Sequence, residues 1–364
     1  MSSNVDAANR AAQETLKVQR EVISDAVSYP WSIAFLPDNQ LLVTQKNGAL
    51  KRITSNGEIT VIKNVPEVYF QSQAGLFDVV VHPGYSNNNL IFLAYAIGDM
   101  SSNTLRVISA QLAGDQLTNI KVLTEVEPYK DTPVHYGGRM ALLPDNTLLI
   151  TTGDGFDYRE KAQKLDTGLG KVLRINLDGS APSDNPFAKL SGANNTIWTY
   201  GHRNPQGLLY DPVRKQAFLH EHGPAGGDEI NLLEPGNNYG WPVITHGKDY
   251  SGARISPFEQ YPDMQQPLLH WTPSIAPSGF AVYYGDKFPQ MVGDFLVGAL
   301  KTRELRWVKM EGNKVIGQQT LLADLDARIR DVRVSPDGYI YLVTDGEGGK
   351  VMRLSPASED RRDN

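Results

Sequence analysis

One pattern constrains this chain more than any other feature. An apolar strand, a turn built on proline with Asp, Gly or Asn, and a second apolar strand return six times along the sequence. The copies read SIAFLPDNQLLVTQ, FDVVVHPGYSNNNLIFLAY, RMALLPDNTLLITTGDG, GLLYDPVRKQAFLHEHG, FAVYYGDKFPQMVGDFLVGAL and DVRVSPDGYIYLVTDGEGG. A further strand such as ALKRI, GKVLRINL, ELRWVKM or GKVMRL tends to follow, so a unit supplies three or four strands and averages about sixty residues with its loops. Runs of Val, Ile, Leu, Phe and Tyr punctuated by Gly and Pro argue for an all-β protein. Six-fold repetition of short meanders argues for a propeller.

The expected fold is therefore a six-bladed β-propeller of four-stranded antiparallel blades. It occupies residues 26–356, after a helical or flexible segment over 1–25 and before a charged tail over 357–364. A doubly wound sheet would need amphipathic helices between its strands, and only SSNVDAANRAAQETLKVQREVI and YREKAQKLD read that way. The interludes 156–200 and 232–275 are expected to be loops on one face of the disc, where such folds build their sites.

Composition excludes several functions. The net charge is −6, with 35 basic and 41 acidic residues spread evenly, so no basic stripe tracks a nucleic acid. No apolar run is long enough to cross a bilayer, and the chain as given carries no recognisable export signal. The absence of cysteine excludes disulfides, thiolate metal sites and cysteine nucleophiles.

The chemistry-bearing residues cluster in a few motifs. In YGHRNPQGLLYDP the residue before proline is pushed toward extended geometry, so His202, Arg203 and Asn204 stand at the lip of a strand. In VHYGGRMALLPD, His135 sits at a strand mouth, as either a general base or a satisfied structural group. LHEHGPAGGDEINLL places His220 and His222 on one side of a strand, compatible with a metal but lacking an obvious third ligand. Its GPAGG run frees carbonyls that, with Asp228 and Glu229, suit a hard cation; the alternative is a turn with solvated acids. Arg328 and Arg330 in RIRDVRVSPDG could clamp a polycarboxylate or could merely pair with surface acids. Lys301 takes an equivalent place in the preceding blade, and Trp271 is either core or a stacking platform. Nothing resembles a phosphate cradle, which disfavours nucleotide cofactors.

SQAGLFDVVVHP, HYGGRMALLPD, YGHRNPQGL, HEHGPAGGDEINLL, NNYGWP, WTPSIAPSGFAVY and RIRDVRVSPDGYIYLVTDG resemble, in order, the signatures of the soluble quinoprotein glucose and aldose sugar dehydrogenases. The match covers residues 29–355, and the short HEHGPAGGDE loop is closer to the aldose branch. The resemblance implies a six-bladed propeller that binds pyrroloquinoline quinone (PQQ) and calcium and oxidises the C1 hydroxyl of aldose sugars to the lactone. It further implies an external electron acceptor, a monomer or homodimer, and a periplasmic location.

Carried over by position, His135 matches the base that takes the C1 hydroxyl proton while hydride passes to the quinone. Gln73, Arg203 and Asn204 match residues that hold PQQ, and Lys301, Arg328 and Arg330 match the cationic clamp on its carboxylates. Gly223 and Pro224 match carbonyl ligands of the calcium beside PQQ, Glu229 and Tyr239 match part of a second calcium site, and Trp271 is assigned to substrate. One departure stands out: the glucose enzymes carry an aspartate directly before the histidine, and here that residue is Val134. The rival readings are a calcium-dependent propeller lactonase, with His135 activating water, and a non-catalytic binding propeller. The set Arg203, Lys301, Arg328 and Arg330 argues against the first, and the presence of His135 against the second.

Overall fold

A computed structural model of the protein describes residues 16–357. Six four-stranded antiparallel sheets follow one another along the chain. Their first strands, Pro30–Phe35, Leu76–Val81, Gly137–Leu142, Pro205–Asp211, Pro277–Val282 and Ile329–Val334, touch in a closed ring around a central axis. The sheets are the blades of a six-bladed β-propeller, numbered 1 to 6 in that order.

The second strand of each blade is buried on both faces, which is why segments such as LLVTQ, TLLITT and IYLVT read as near-continuous apolar runs, whereas outer strands such as Lys314–Leu321 alternate with solvent. Six apolar clusters fill the six seams. Between blades 6 and 1, for example, Ile33, Val43 and Ile53 pack against Val343 and Val351. The PDN and PDG turns behave as their chemistry demands, with Asn39, Asn146 and Gly338 in the left-handed region that Asn and Gly tolerate.

The N-terminal segment differs from expectation. Val18–Ser24 is a strand, paired antiparallel with Val351–Pro356 so that blade 6 takes its outermost strand from the start of the chain. The open edge of the last strand offers main-chain partners that outweigh the helical pattern of QREVI. Residues 1–15 and 358–364 lie outside the described residues, and with them most of the expected N-terminal segment and tail. YREKAQKLD forms only a 3-10 turn, Arg159–Gln163. The interlude 156–200 is not one loop, because it contains the strands Lys171–Asn176 and Ile197–Tyr200. Antiparallel alternation puts 153–170 at one face of the disc and 177–196 at the other. Among the described residues no helix is long and apolar enough to cross a membrane.

Every first strand shifts register near its start, leaving main-chain groups unpaired close to the axis. Buried charges satisfy them. Asp78 accepts the Met140 N–H at 2.9 Å and the Ser32 hydroxyl at 2.5 Å, and Asp331 accepts the Ile33 N–H at 3.0 Å. Arg139, fully buried over the Trp31 ring at 3.9 Å, lies 3.1 Å from Asp331 and donates to the Gln206 and Arg330 carbonyls at 2.8 and 3.2 Å. One guanidinium thus ties blade 3 to blades 4 and 6, and fixes the backbone that carries Arg330.

Candidate active site

His135 lies two residues before the first strand of blade 3, with a left-handed φ of 52°. The Gln73 side-chain oxygen accepts its main-chain N–H at 2.9 Å and holds that conformation. The imidazole is buried, and its Nδ1 lies 2.7 Å from an oxygen of Asp154. The same carboxylate accepts the Phe156 N–H at 2.8 Å and the Trp241 indole N–H at 2.7 Å. Held this way, Nδ1 carries the proton and Nε2 is left as the basic nitrogen. Burial lowers the imidazole's proton affinity and Asp154 partly restores it, so the ring is neutral near neutral pH. Gly153 makes the approach possible, since a Cβ there would stand 2.1 Å from the His135 carbonyl oxygen. Asp154 therefore orients the imidazole, although no aspartate precedes it.

The YGHRN bend is clamped from behind. His202 is fully buried, 2.8 Å from Glu221 through Nδ1 and 2.8 Å from the Thr199 hydroxyl through Nε2, and stacks on Tyr239 at 4.8 Å. The second Glu221 oxygen accepts the Arg203 N–H at 2.6 Å. His202 is thus a structural group that presents its two neighbours. Arg203 donates to the His222 and Gly223 carbonyls at 3.1 and 2.6 Å and lines a cavity of about 280 Å³ with His135, Asp154, Phe156, Pro224 and Tyr250.

A second cavity, of about 160 Å³, lies at the mouth of the axis. Gln73, Asn204, Arg328, Arg330 and Lys46 line it. Asp345 bridges the two arginines at 3.0 Å from Arg328 Nε and 3.2 Å from Arg330 Nη2. Burial would raise the Asp345 carboxyl, but Arg330 and Arg328 outweigh it and hold it down at about 2.

Gly223, Glu221, Glu229 and Tyr239 border a small pocket beside Arg203. Burial, and then the neighbouring Glu221 charge, push the Glu229 carboxyl well above its usual range. The Tyr239 hydroxyl bonds the Leu232 carbonyl at 2.6 Å and the Glu234 N–H at 2.9 Å, so only its main-chain carbonyl is available to an ion. Asp228 is no free anion: one oxygen takes the Gly223 N–H and the other takes Ser274, Ile275 and Ala276. His220 and His222 each meet a carbonyl of blade 5, Gly279 at 3.0 Å and Pro277 at 2.7 Å, and do not form a metal pair. Among the described residues no group of three or more His, Asp or Glu side chains is arranged to hold a metal, so any ion here relies on carbonyls as well.

Two residues fall outside these cavities. Trp271 is buried in the apolar seam between blades 4 and 5, its indole N–H 2.7 Å from the Gln318 side-chain oxygen. It is core, because the strand Leu269–Trp271 is the outermost of blade 4, away from the axis. Lys301 is exposed and lines neither cavity, although the adjacent Leu300 does. Conversely, Asp154, Glu221, Lys46 and Asp345 belong to the site by geometry. A TGDG run at a strand end is the signal for Asp154; Glu221 and Asp345 lie unremarked inside the HEHGPAGGDE and VTDG motifs, and Lys46 has no local signal.

The sequence pattern described as Glucose / Sorbosone dehydrogenase matches residues 27–353. The aldose sugar dehydrogenase YliI of Escherichia coli is 39% identical over 353 residues, covering 95% of this chain and 94% of that protein. The apo crystal structure of the soluble Escherichia coli aldose sugar dehydrogenase superposes with a TM-score of 0.91 at 38% identity, over 94% of this chain and all of the other. The PQQ-bound aldose sugar dehydrogenase of Streptomyces coelicolor gives a TM-score of 0.75 at 26% identity, over 93% and 98% of the two chains. Fold, cavity-lining motifs and these matches agree: the chain belongs to the glucose/sorbosone dehydrogenase family.

Proposed function

We propose that the protein oxidises the C1 hydroxyl of aldose sugars to the lactone, using PQQ and calcium held on one propeller face, and delivers electrons to an external acceptor. The observation that carries this reading is the His135 imidazole, fixed through Nδ1 by Asp154, beside a cavity with surplus positive charge. The naming of the Escherichia coli relative and the PQQ held by the Streptomyces neighbour support it. The periplasmic location implied by the family resemblance goes with the same reading.

The residues fit both groups. Arg328, Arg330 and Lys46 face the axial cavity against the single carboxylate of Asp345, an imbalance that suits a polyanion. The raised Glu229 carboxyl beside Glu221 suits a cation. Gln73, Asn204, Arg328 and Arg330 would hold PQQ, the Gly223 and Pro224 carbonyls the calcium beside it, and Glu229 with the Tyr239 carbonyl a second calcium. When bound, PQQ supplies the two-electron acceptor and calcium a Lewis acid.

The chain's own residues then do the rest. His135 Nε2 takes the proton of the C1 hydroxyl as the C1 hydride leaves, and Asp154 stabilises the resulting imidazolium. Arg203 offers fixed positive charge where oxygen charge grows. Phe156, edge-on to the imidazole at 5.1 Å, and Tyr250 wall the approach to it. A lactonase would have no use for the axial cations, and a binding-only propeller none for the His135–Asp154 pair.

The test is reconstitution. Purified protein should oxidise aldoses with an artificial dye only when PQQ and calcium are both supplied, and NAD should give nothing. Turnover with NAD alone, or lactone hydrolysis without PQQ, would overturn the assignment.

A further inference from the structure

Lys46 is the cation of the axial cavity that none of the motifs points to. It follows the second strand of blade 1, Leu41–Gln45. Its position is set by main-chain bonds on both sides, its N–H to the Tyr29 carbonyl at 2.9 Å and its carbonyl to the Leu76 N–H at 3.1 Å. Gly75 allows the second contact, because a Cβ there would lie 2.2 Å from the Lys46 carbonyl oxygen. The seam between blades 1 and 2 thereby delivers the ammonium to the wall that also carries Gln73, Arg328 and Arg330.

Its electrostatic situation is unfavourable without an anion. Among the described residues, the half-buried Lys46 ammonium donates to the Ser72 carbonyl at 2.7 Å, which leaves two N–H groups free to meet solvent or a ligand. Asp345 is the acid of this cluster and is already bridged by Arg328 and Arg330. Three positive charges against one leave a net charge of +2 on a small, partly enclosed wall. Burial, and then repulsion by Arg330, lower the proton affinity of Lys46; Asp345 offsets part of this and Arg328 adds to it. A solvated surface lysine would not feel that repulsion.

We propose that Lys46 is a further cofactor-holding residue, which engages a carboxylate of the bound aromatic tricarboxylate from the blade 1 side, opposite the hold of Asp345 on the arginines. This rests on the PQQ reading above and extends it to a residue outside the recognised motifs. A lone structural role, capping Ser72 over the Phe70 ring 5.8 Å away, is the alternative.

Lys46→Gln separates the two, because glutamine can still donate to the Ser72 carbonyl but carries no charge. With calcium fixed, PQQ titrations of wild type, Lys46→Gln and Lys46→Arg are compared with the melting temperatures of the same proteins free of PQQ. Loss of one charge-assisted contact predicts a roughly 10- to 100-fold rise in the PQQ dissociation constant for Lys46→Gln, with a shallower salt dependence. Lys46→Arg should stay within roughly fivefold of wild type, since the charge is kept. The PQQ-free Lys46→Gln protein should melt no lower than wild type, because a repulsive charge has gone. Unchanged PQQ affinity in Lys46→Gln, an equal loss in Lys46→Arg, or a clear drop in PQQ-free melting temperature would each overturn the proposal. Wild-type protein that fails to bind PQQ would instead bring down the functional reading, and this inference with it.

Discussion

The Nδ1 of His135 and an oxygen of Asp154 stand 2.7 Å apart, on segments joined only through the strand pair of Gly137–Leu142 and Thr147–Thr152. That contact decides which imidazole nitrogen is basic. Asp154→Asn can present its amide N–H to Nδ1 and so favour the wrong tautomer, as well as removing the charge that stabilises the imidazolium. Turnover of the reconstituted enzyme should fall roughly 100- to 10,000-fold, with PQQ affinity nearly unchanged. The pH profile adds a second readout. A base works unprotonated, and burial lowers the His135 pKa below 6.5, so the acid limb of turnover lies below that value. Asp154 raises the pKa, so its loss should move the limb lower still. Near-normal turnover in Asp154→Asn would mean that another group is the base.

The arginine pair makes a different prediction, because Arg330 is mostly buried whereas Arg328 is 45% exposed. Arg330→Ala should weaken PQQ binding by about 1.5–3 kcal/mol, the range for hydrogen bonds to charged groups. Turnover at saturating PQQ should fall much less. Lysine at 330 should recover only part of the affinity, since it lacks the planar fork that reaches Asp345 through both Nε and Nη2. Unchanged affinity in both Arg328→Ala and Arg330→Ala would reduce the pair to a strand edge satisfied by Asp345.

Glu221 and Glu229 are paired across neighbouring strands and border one small pocket. Like charges so placed are costly until a cation joins them. Calcium should therefore raise the melting temperature of the PQQ-free protein, and a chelator should reverse the gain. Glu229→Ala should lose most of that response while melting no lower than wild type in the absence of calcium. An undiminished calcium response in Glu229→Ala would move the ion elsewhere, to the Gly223 and Pro224 carbonyls.

Periodic features were legible in the sequence, and features made by closure were not. The six copies of strand, Pro-Asp turn and strand specify the blades because each repeats a local chemistry. Val18–Ser24 escaped, since its strand character comes from the edge of Val351–Pro356, more than three hundred residues away in sequence. The same division runs through the site. His135, Gln73, Arg203, Asn204 and Arg330 sit in recognisable motifs and line the cavities. Trp271 sits in an equally good motif and does not, because its strand is the outermost of blade 4 and its side chain turns into the seam. Asp345 meets Arg330 within one blade, where Ile329 pairs with Thr344, whereas Lys46 is ordinary in sequence and only the ring of blades brings it to Arg330.

His220 allows the fold itself to be tested by pH. Its ring is fully buried, with Nε2 facing the Gly279 carbonyl at 3.0 Å and, among the described residues, no partner at Nδ1. Burial pushes its pKa from 6.5 down to about 3. Between those values the unfolded chain binds a proton at this residue and the folded protein does not. Stability must then fall as pH falls, by at most about 1.4 kcal/mol per pH unit for one group. Above 6.5 the residue contributes no slope. Replacement by a side chain that does not titrate removes this term alone, and His220→Gln can still reach the Gly279 carbonyl. Melting temperatures of wild type and His220→Gln, measured from pH 7.5 to pH 4, should differ by a constant above about 6.5 and then converge, or cross, as the wild type loses stability faster. A difference that stays flat through the acid range would mean that the folded protein protonates His220 as easily as the unfolded chain does, and the imidazole would have to be reached by water along the axis.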